Sequence, residues 1–151
     1  MRISATGRTR GFTLVELLIV LTILGLMSAA VVIAMPDPRG SLTAEAERFA
    51  ARAAAARDLA IVDAEALSMR VTPAGYGFDR REDSQWRPLN REPFVDHVWP
   101  EGTRAVLGNG ETTRILFDPT GLADPARVTL VRGDEQVVVE IGVDGEIDVE
   151  A

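Results

Sequence analysis

Residues Gly11 to Met35 read GFTLVELLIVLTILGLMSAAVVIAM, and the fold turns on what this stretch is. From Phe12 to Met35 the run holds 24 residues and one ionisable side chain, Glu16. As an α-helix it extends about 36 Å at roughly 1.5 Å per residue, enough to cross a ~30 Å hydrocarbon layer with some tilt. Thr22, Gly25 and Ser28 suit a helix whose neighbours approach closely. Glu16 does not suit it. A carboxylate inside an apolar span costs on the order of a few kcal/mol and calls for a partner, unless it sits at the membrane face and stays wet.

The preceding residues bear on that choice. Met1 to Gly11 carries Arg2, Arg8 and Arg10 and no acid, so the positive-inside rule keeps this end cytoplasmic. A secretory signal peptide places its small-residue cleavage site after the apolar core. Here Gly11 comes before the core. Cleavage after Gly11 removes a basic leader, leaves the helix on the chain and frees an α-amine on Phe12. Glu16 lies four residues further on, on the same helix face, so that amine is a candidate partner. The amine of a neighbouring subunit serves equally well.

Arg10-Gly11-Phe12-Thr13-Leu14-Val15-Glu16-Leu17-Leu18 resembles the class III signal of type IV pilins and type II secretion pseudopilins. The resemblance implies cleavage between Gly11 and Phe12 by a prepilin peptidase, N-methylation of Phe12, and extraction from the inner membrane into a filament cored by these helices. It implies that Glu16 neutralises the terminal amine of an adjacent protomer during assembly. The plain alternative is a single-span anchor with no filament role.

The rest of the chain has room for one modest domain. The formal charge is −7, and loss of the three leader arginines takes it to −10, a poor balance for wrapping nucleic acid. All 16 basic residues are arginine and there is no cysteine, so any exported domain holds together without disulfides. Met35-Pro36-Asp37-Pro38-Arg39-Gly40 breaks or kinks the helix, because proline removes a hydrogen bond and pushes its predecessor out of the α region. The resemblance to pilins implies that in a filament the segment from about Gly25 to Pro38 loosens or melts.

Ser41 or Thr43 can cap a second helix running to about Val62 or Ala64. Leu42, Ala46, Phe49, Ala53, Ala56 and Ala60 line one face, while Glu45, Arg48 and Arg52 mark another, with Glu45 and Arg48 spaced to pair. So alanine-rich a stripe needs a partner that packs closely, such as a β-sheet; a coiled coil is the weaker alternative, because the stripe is short and lacks large residues at most positions. From Leu67 the period becomes two, and Pro73-Ala74-Gly75 turns the chain towards Tyr76 and Phe78 as a hairpin. Asp79 to Pro93 reads as a long polar loop. Its Trp86 lids a small core or, less commonly, anchors a partner.

Thr103–Leu107 and Thr112–Asp118 flank Gly108-Asn109-Gly110, a hairpin signal. Asp118-Pro119-Thr120-Gly121 is a turn. Arg127–Arg132, Gln136–Val143 and Glu146–Glu150 follow as strands joined at Gly133-Asp134 and Asp144-Gly145. The expected class is α+β: a long N-terminal hydrophobic helix (a transmembrane spine), then a small antiparallel β-sheet domain of about six to eight strands. Its parts are a leader over 1–11, a transmembrane and filament-core helix over 12–35, a kinked amphipathic extension over 36–64 and a periplasmic β domain over 65–151.

Phe117-Asp118-Pro119-Thr120-Gly121, two short strands and the acidic hairpin through Asp144-Gly145 are similar to the H-type minor pseudopilins of type II secretion and to the related T-type minor pilins. The H-type resemblance implies a structural subunit near the tip of a periplasmic filament, linking the tip complex to the major pseudopilin. Implied partners are the other pseudopilins (major and tip minor subunits), the prepilin peptidase and the inner-membrane assembly platform. The implied location is the bacterial inner membrane, single-pass, N-terminus cytoplasmic and C-terminal domain periplasmic. The T-type alternative acts in pilus assembly or DNA uptake, for which a basic surface or tail is expected; this tail ends Asp148-Val149-Glu150-Ala151.

Enzyme readings fail for want of a nucleophile elbow, a P-loop or a metal-ligand cluster, and nothing calls for a cofactor. Glu82 with Asp83, and Asp144 with Glu146, read as solvated turn carboxylates. Asp144 with Asp148 is a minor calcium alternative. His97, the sole histidine, lacks the companions a zinc site needs.

Overall fold

The computed structural model describes residues 13–34, 40–108 and 110–150, with segment 29–34 described by its backbone alone. The expected Gly11–Phe12 junction and the expected break over 35–39 lie outside these residues. The chain divides into two units, Met1–Asp37 and Pro38–Ala151.

The first unit contains helix α1, Leu14–Ala34. Thr13 opens it: its Oγ1 accepts from the Glu16 N–H at 3.2 Å, and its carbonyl accepts from the Leu17 N–H. A threonine hydroxyl capping the N–H three residues on is the usual way of satisfying an orphan first-turn donor.

The second unit is built on helix α2, Leu42–Asp63. Ser41 is extended at φ −73° and ψ 152°, and its Oγ accepts from the Ala44 N–H at 3.0 Å. The helix stops where Ala64 turns left-handed, φ 52°, with its N–H directed back at the Ala60 and Ile61 carbonyls. Leu42, Ala46, Phe49, Ala53, Ala56 and Ala60 are buried as the spacing predicts, so four alanines and one phenylalanine let sheet backbone come close. Glu45 departs from expectation. It is not on a solvated face but fully buried in the same stripe.

Nine strands are present among the described residues: β1 Leu67–Thr72, β2 Gly75–Glu82, β3 Gln85–Pro88, β4 His97–Val98, β5 Thr103–Leu107, β6 Thr113–Phe117, β7 Ala126–Arg132, β8 Glu135–Ile141 and β9 Ile147–Glu150. They form two antiparallel sheets. One runs β3-β2-β1-β6, with β4 pairing the start of β2; the other runs β5-β7-β8-β9. Their inner faces share one core with α2, in which Phe49, Leu67, Met69, Phe78, Ile115, Phe117, Val128, Leu130 and Ile141 have almost no exposed surface.

Two expectations fail here. The stretch Asp79 to Pro93 is not one loop, because β2 continues to Glu82 and pairs with β3 in register Arg81↔Trp86. Asp83 and Ser84 make the turn with φ 48° and 66°, the double positive-φ geometry that suits a two-residue hairpin. Nor do β5 and β6 form a hairpin: β5 pairs with β7 in one sheet and β6 pairs with β1 in the other. The Asp118 turn forms as expected, with Gly121 at φ +90° donating to the Asp118 carbonyl. The β7-β8-β9 meander also follows the sequence reading.

Candidate assembly site

Of the three expected site residues, only Glu16 lies among those described. It stands in the first turn of α1 between exposed neighbours, with Leu14 at 76 % and Leu17 and Leu18 at 55 % exposure. From Thr13 to Ser28 every side chain is exposed, on all sides of the helix. A helix apolar all round is unstable in water and calls for apolar surroundings. Its two hydroxyl side chains are internally satisfied: Thr22 Oγ1 donates to the Leu18 carbonyl and Ser28 Oγ to the Leu24 carbonyl, both at 2.8 Å. No side chain lies within 4 Å of where a Gly25 Cβ would sit, so this point allows another helix to approach. Among the described residues no helix is long and apolar enough to cross a membrane.

The globular unit holds polar constellations of which the sequence reading found only the Glu45–Arg48 pair. Glu45 Oε1 lies 2.8 Å from His97 Nε2, while Oε2 is 3.4 Å from Arg48 Nη1, close enough for attraction but not aligned as a hydrogen bond. The signal was there: Glu45 falls three residues after Leu42 and four before Phe49, on the apolar stripe. Around this pair Phe49, Tyr76 and Trp99 pack edge-on or tilted with centroids 4.8–5.6 Å apart, and Arg52 Nη1 donates to the Tyr76 hydroxyl at 3.3 Å. Burial pushes the Tyr76 pKa up, and the Arg52 cation pulls partly against it.

On the first sheet's outer face, buried Asp79 takes both oxygens to Arg70 Nη1 at 2.8 Å and one to Arg114 Nη1 at 2.9 Å. Trp86 lies on that face, half-buried between two guanidiniums, so it lids no core. In the Asp118 turn, Oδ1 accepts from the Thr120 hydroxyl and from the Thr120 and Leu122 N–H groups; these bonds, the hydroxyl's first, hold its pKa below the usual carboxylate value. Asp144 Oδ1 accepts from the Glu146 N–H as a turn residue does. No group of three or more His, Cys, Asp or Glu converges as cation ligands among the described residues.

An apolar N-terminal helix in one unit and, in the other, a helix packed against two antiparallel sheets define a pilin-like α+β fold. The family model "Type II transport protein GspH" matches residues 45–145, and the "Prokaryotic N-terminal methylation motif" matches 7–32. The chain belongs to the GspH family. It is 28 % identical over 155 residues to type II secretion system protein H of Aeromonas hydrophila, covering 86 % of this chain and 85 % of that one. The fold is that of the minor pseudopilin EpsH from the type 2 secretion system of Vibrio cholerae (TM-score 0.62, 17 % identity, 71 % of this chain and 94 % of that one). It is also that of the type IV minor pilin FimU of Pseudomonas aeruginosa PAO1 (TM-score 0.57, 18 % identity, 73 % and 88 % of the two chains).

Proposed function

We propose that this chain works as an H-type minor pseudopilin, a structural rather than catalytic subunit of the type II secretion pseudopilus. One observation carries the reading: a methylation motif over 7–32 is followed directly by a GspH match over 45–145, with an all-round apolar helix in the first. In this reading the leader is cut between Gly11 and Phe12 by the prepilin peptidase and Phe12 is methylated. Residues 12–35 hold the subunit in the inner membrane, N-terminus cytoplasmic and globular unit periplasmic, until the assembly platform passes it into the filament.

Glu16 then acts as a docking charge. A carboxylate among apolar helices is expensive alone and favourable once it meets the terminal amine of Phe12 on an adjacent subunit. The apolar helix supplies cohesion, and the globular unit carries contacts to the other pseudopilins, between the tip complex and the major subunit. The fold shared with FimU suits a type IV pilus subunit equally, but the protein H relative and the GspH match favour secretion.

The test is Glu16→Ala or Glu16→Val in the native host. Membrane insertion is expected to persist while incorporation into sheared filaments is lost. Normal incorporation of either variant refutes the pairing.

A further inference from the structure

The outer face of the first sheet is odd for a solvated surface. Strand register puts Ser68, Arg70, Asp79, Arg81, Trp86 and Arg114 on it together. Asp79 is almost fully buried although it faces away from the core, because two guanidiniums close over it. Arg114 Nη1 also donates to Ser68 Oγ at 2.8 Å, and its guanidinium carbon sits 5.2 Å from the centre of the Trp86 ring. The Arg81 guanidinium carbon lies 5.7 Å from the same ring.

These contacts fix Arg70 and Arg114 in advance of any partner, while exposed Arg81 rests against the Trp86 ring alone. A long side chain held by a buried carboxylate and an aromatic ring has already lost the rotamer freedom that docking would otherwise take from it. Tryptophan and arginine in one cluster are the residue types that dominate interface energies. A stand-in for the ligand is visible too: exposed Asp96 lays its carboxylate over the bare backbone of Gly77, 3.5 Å from Arg70 Nη2. Beside it a hollow of about 210 Å³ is lined by Arg70, Gly75, Gly77, Asp96 and His97 among others.

Three arginines face two carboxylates here, a local positive balance in a chain whose formal charge is −7. That asymmetry points to an acidic partner. It is too small for a polyanion, whose binding needs many phosphate contacts and is opposed by the rest of the chain.

We propose that this face, centred on Trp86 between Arg81 and Arg114, docks an acidic surface segment on the globular part of another pseudopilin. The proposal rests on the pseudopilin reading above. Carboxylates of the partner pair with Arg81 and Arg114 and compete with Asp96 for Arg70, and Trp86 supplies the apolar contact between them.

The test uses full-length chain in detergent, titrated with each of the other purified pseudopilins of the same host. At least one is expected to bind, more weakly as salt is raised. Arg81→Glu combined with Trp86→Ala should weaken that binding about tenfold or more, and Arg81→Lys with Trp86→Phe should largely keep it. Both altered residues lie outside the core cluster, so thermal unfolding should hardly move. Should the double variant not fold, Arg81→Glu alone reads the same contact through an exposed side chain. Wild-type binding that the variants leave unchanged overturns the face and spares the pseudopilin reading. A wild-type chain that binds none of the sister subunits overturns both. Loss of binding to a short DNA duplex, with sister binding intact, assigns the face to nucleic acid and also overturns the proposal.

Discussion

Glu45 Oε1 and His97 Nε2 stand 2.8 Å apart, tying the first turn of α2 to the two-residue strand β4. The glutamate has no exposed surface, and its other carboxylate oxygen lies 3.4 Å from Arg48 Nη1. His97→Ala therefore leaves a buried carboxylate short of a donor. The expected loss is about 1–3 kcal/mol of unfolding free energy for the full chain in detergent, measured by chemical denaturation. A loss below about 0.5 kcal/mol, the size of an ordinary surface change, means that water or Arg48 already satisfies Glu45.

Tyr76 is the only tyrosine, so ultraviolet titration of the phenol reports one group. Its pKa is raised from 10.0, chiefly by burial. A raised folded-state value means that the protonated phenol stabilises the fold. That contribution is whole below the unfolded tyrosine value and disappears as pH climbs through the folded one. The midpoint of the folded chain should lie above 10.0, and Arg52→Ala, which removes the opposing cation, should move it higher still. A midpoint at or below the free tyrosine value contradicts the burial.

Gly75 and Gly77 test how the outer hollow is built. A Cβ on Gly75 collides with the backbone carbonyl of His97, which β4 pairing holds in place. On Gly77 it meets the Asp96 carboxylate and the tip of Arg70, both ends of flexible side chains. Gly75→Ala should cost about 1–3 kcal/mol, as overpacking does, and Gly77→Ala should cost less. Thermal unfolding of the two variants gives the order, and equal losses count against the rigid β4 contact.

Much of this was legible locally. The spine helix, the alanine stripe, the Thr72–Gly75 hairpin and the β7-β8-β9 meander each declare themselves through near-neighbour period and turn residues. What the sequence hid was set at long range. Gly108-Asn109-Gly110 has the composition of a hairpin turn, yet β5 and β6 find better partners in β7 and β1. Asp83-Ser84 turns a hairpin without the glycine that advertises one, so β3 passed for loop. The spacing of Glu45 from Leu42 and Phe49 marks it as part of the buried stripe, but nothing local marks its partner, His97, 52 positions later. The Arg70–Asp79–Arg114 cluster joins three strands, and no one-dimensional pattern marks it.

The most direct measurement is intact-mass analysis, with N-terminal sequencing, of the full chain extracted from its native host. The account predicts a chain beginning at Phe12, carrying one methyl group on its amine, with the arginine-bearing leader gone. A chain that keeps residues 1–11, or one that starts at Phe12 unmethylated, contradicts it.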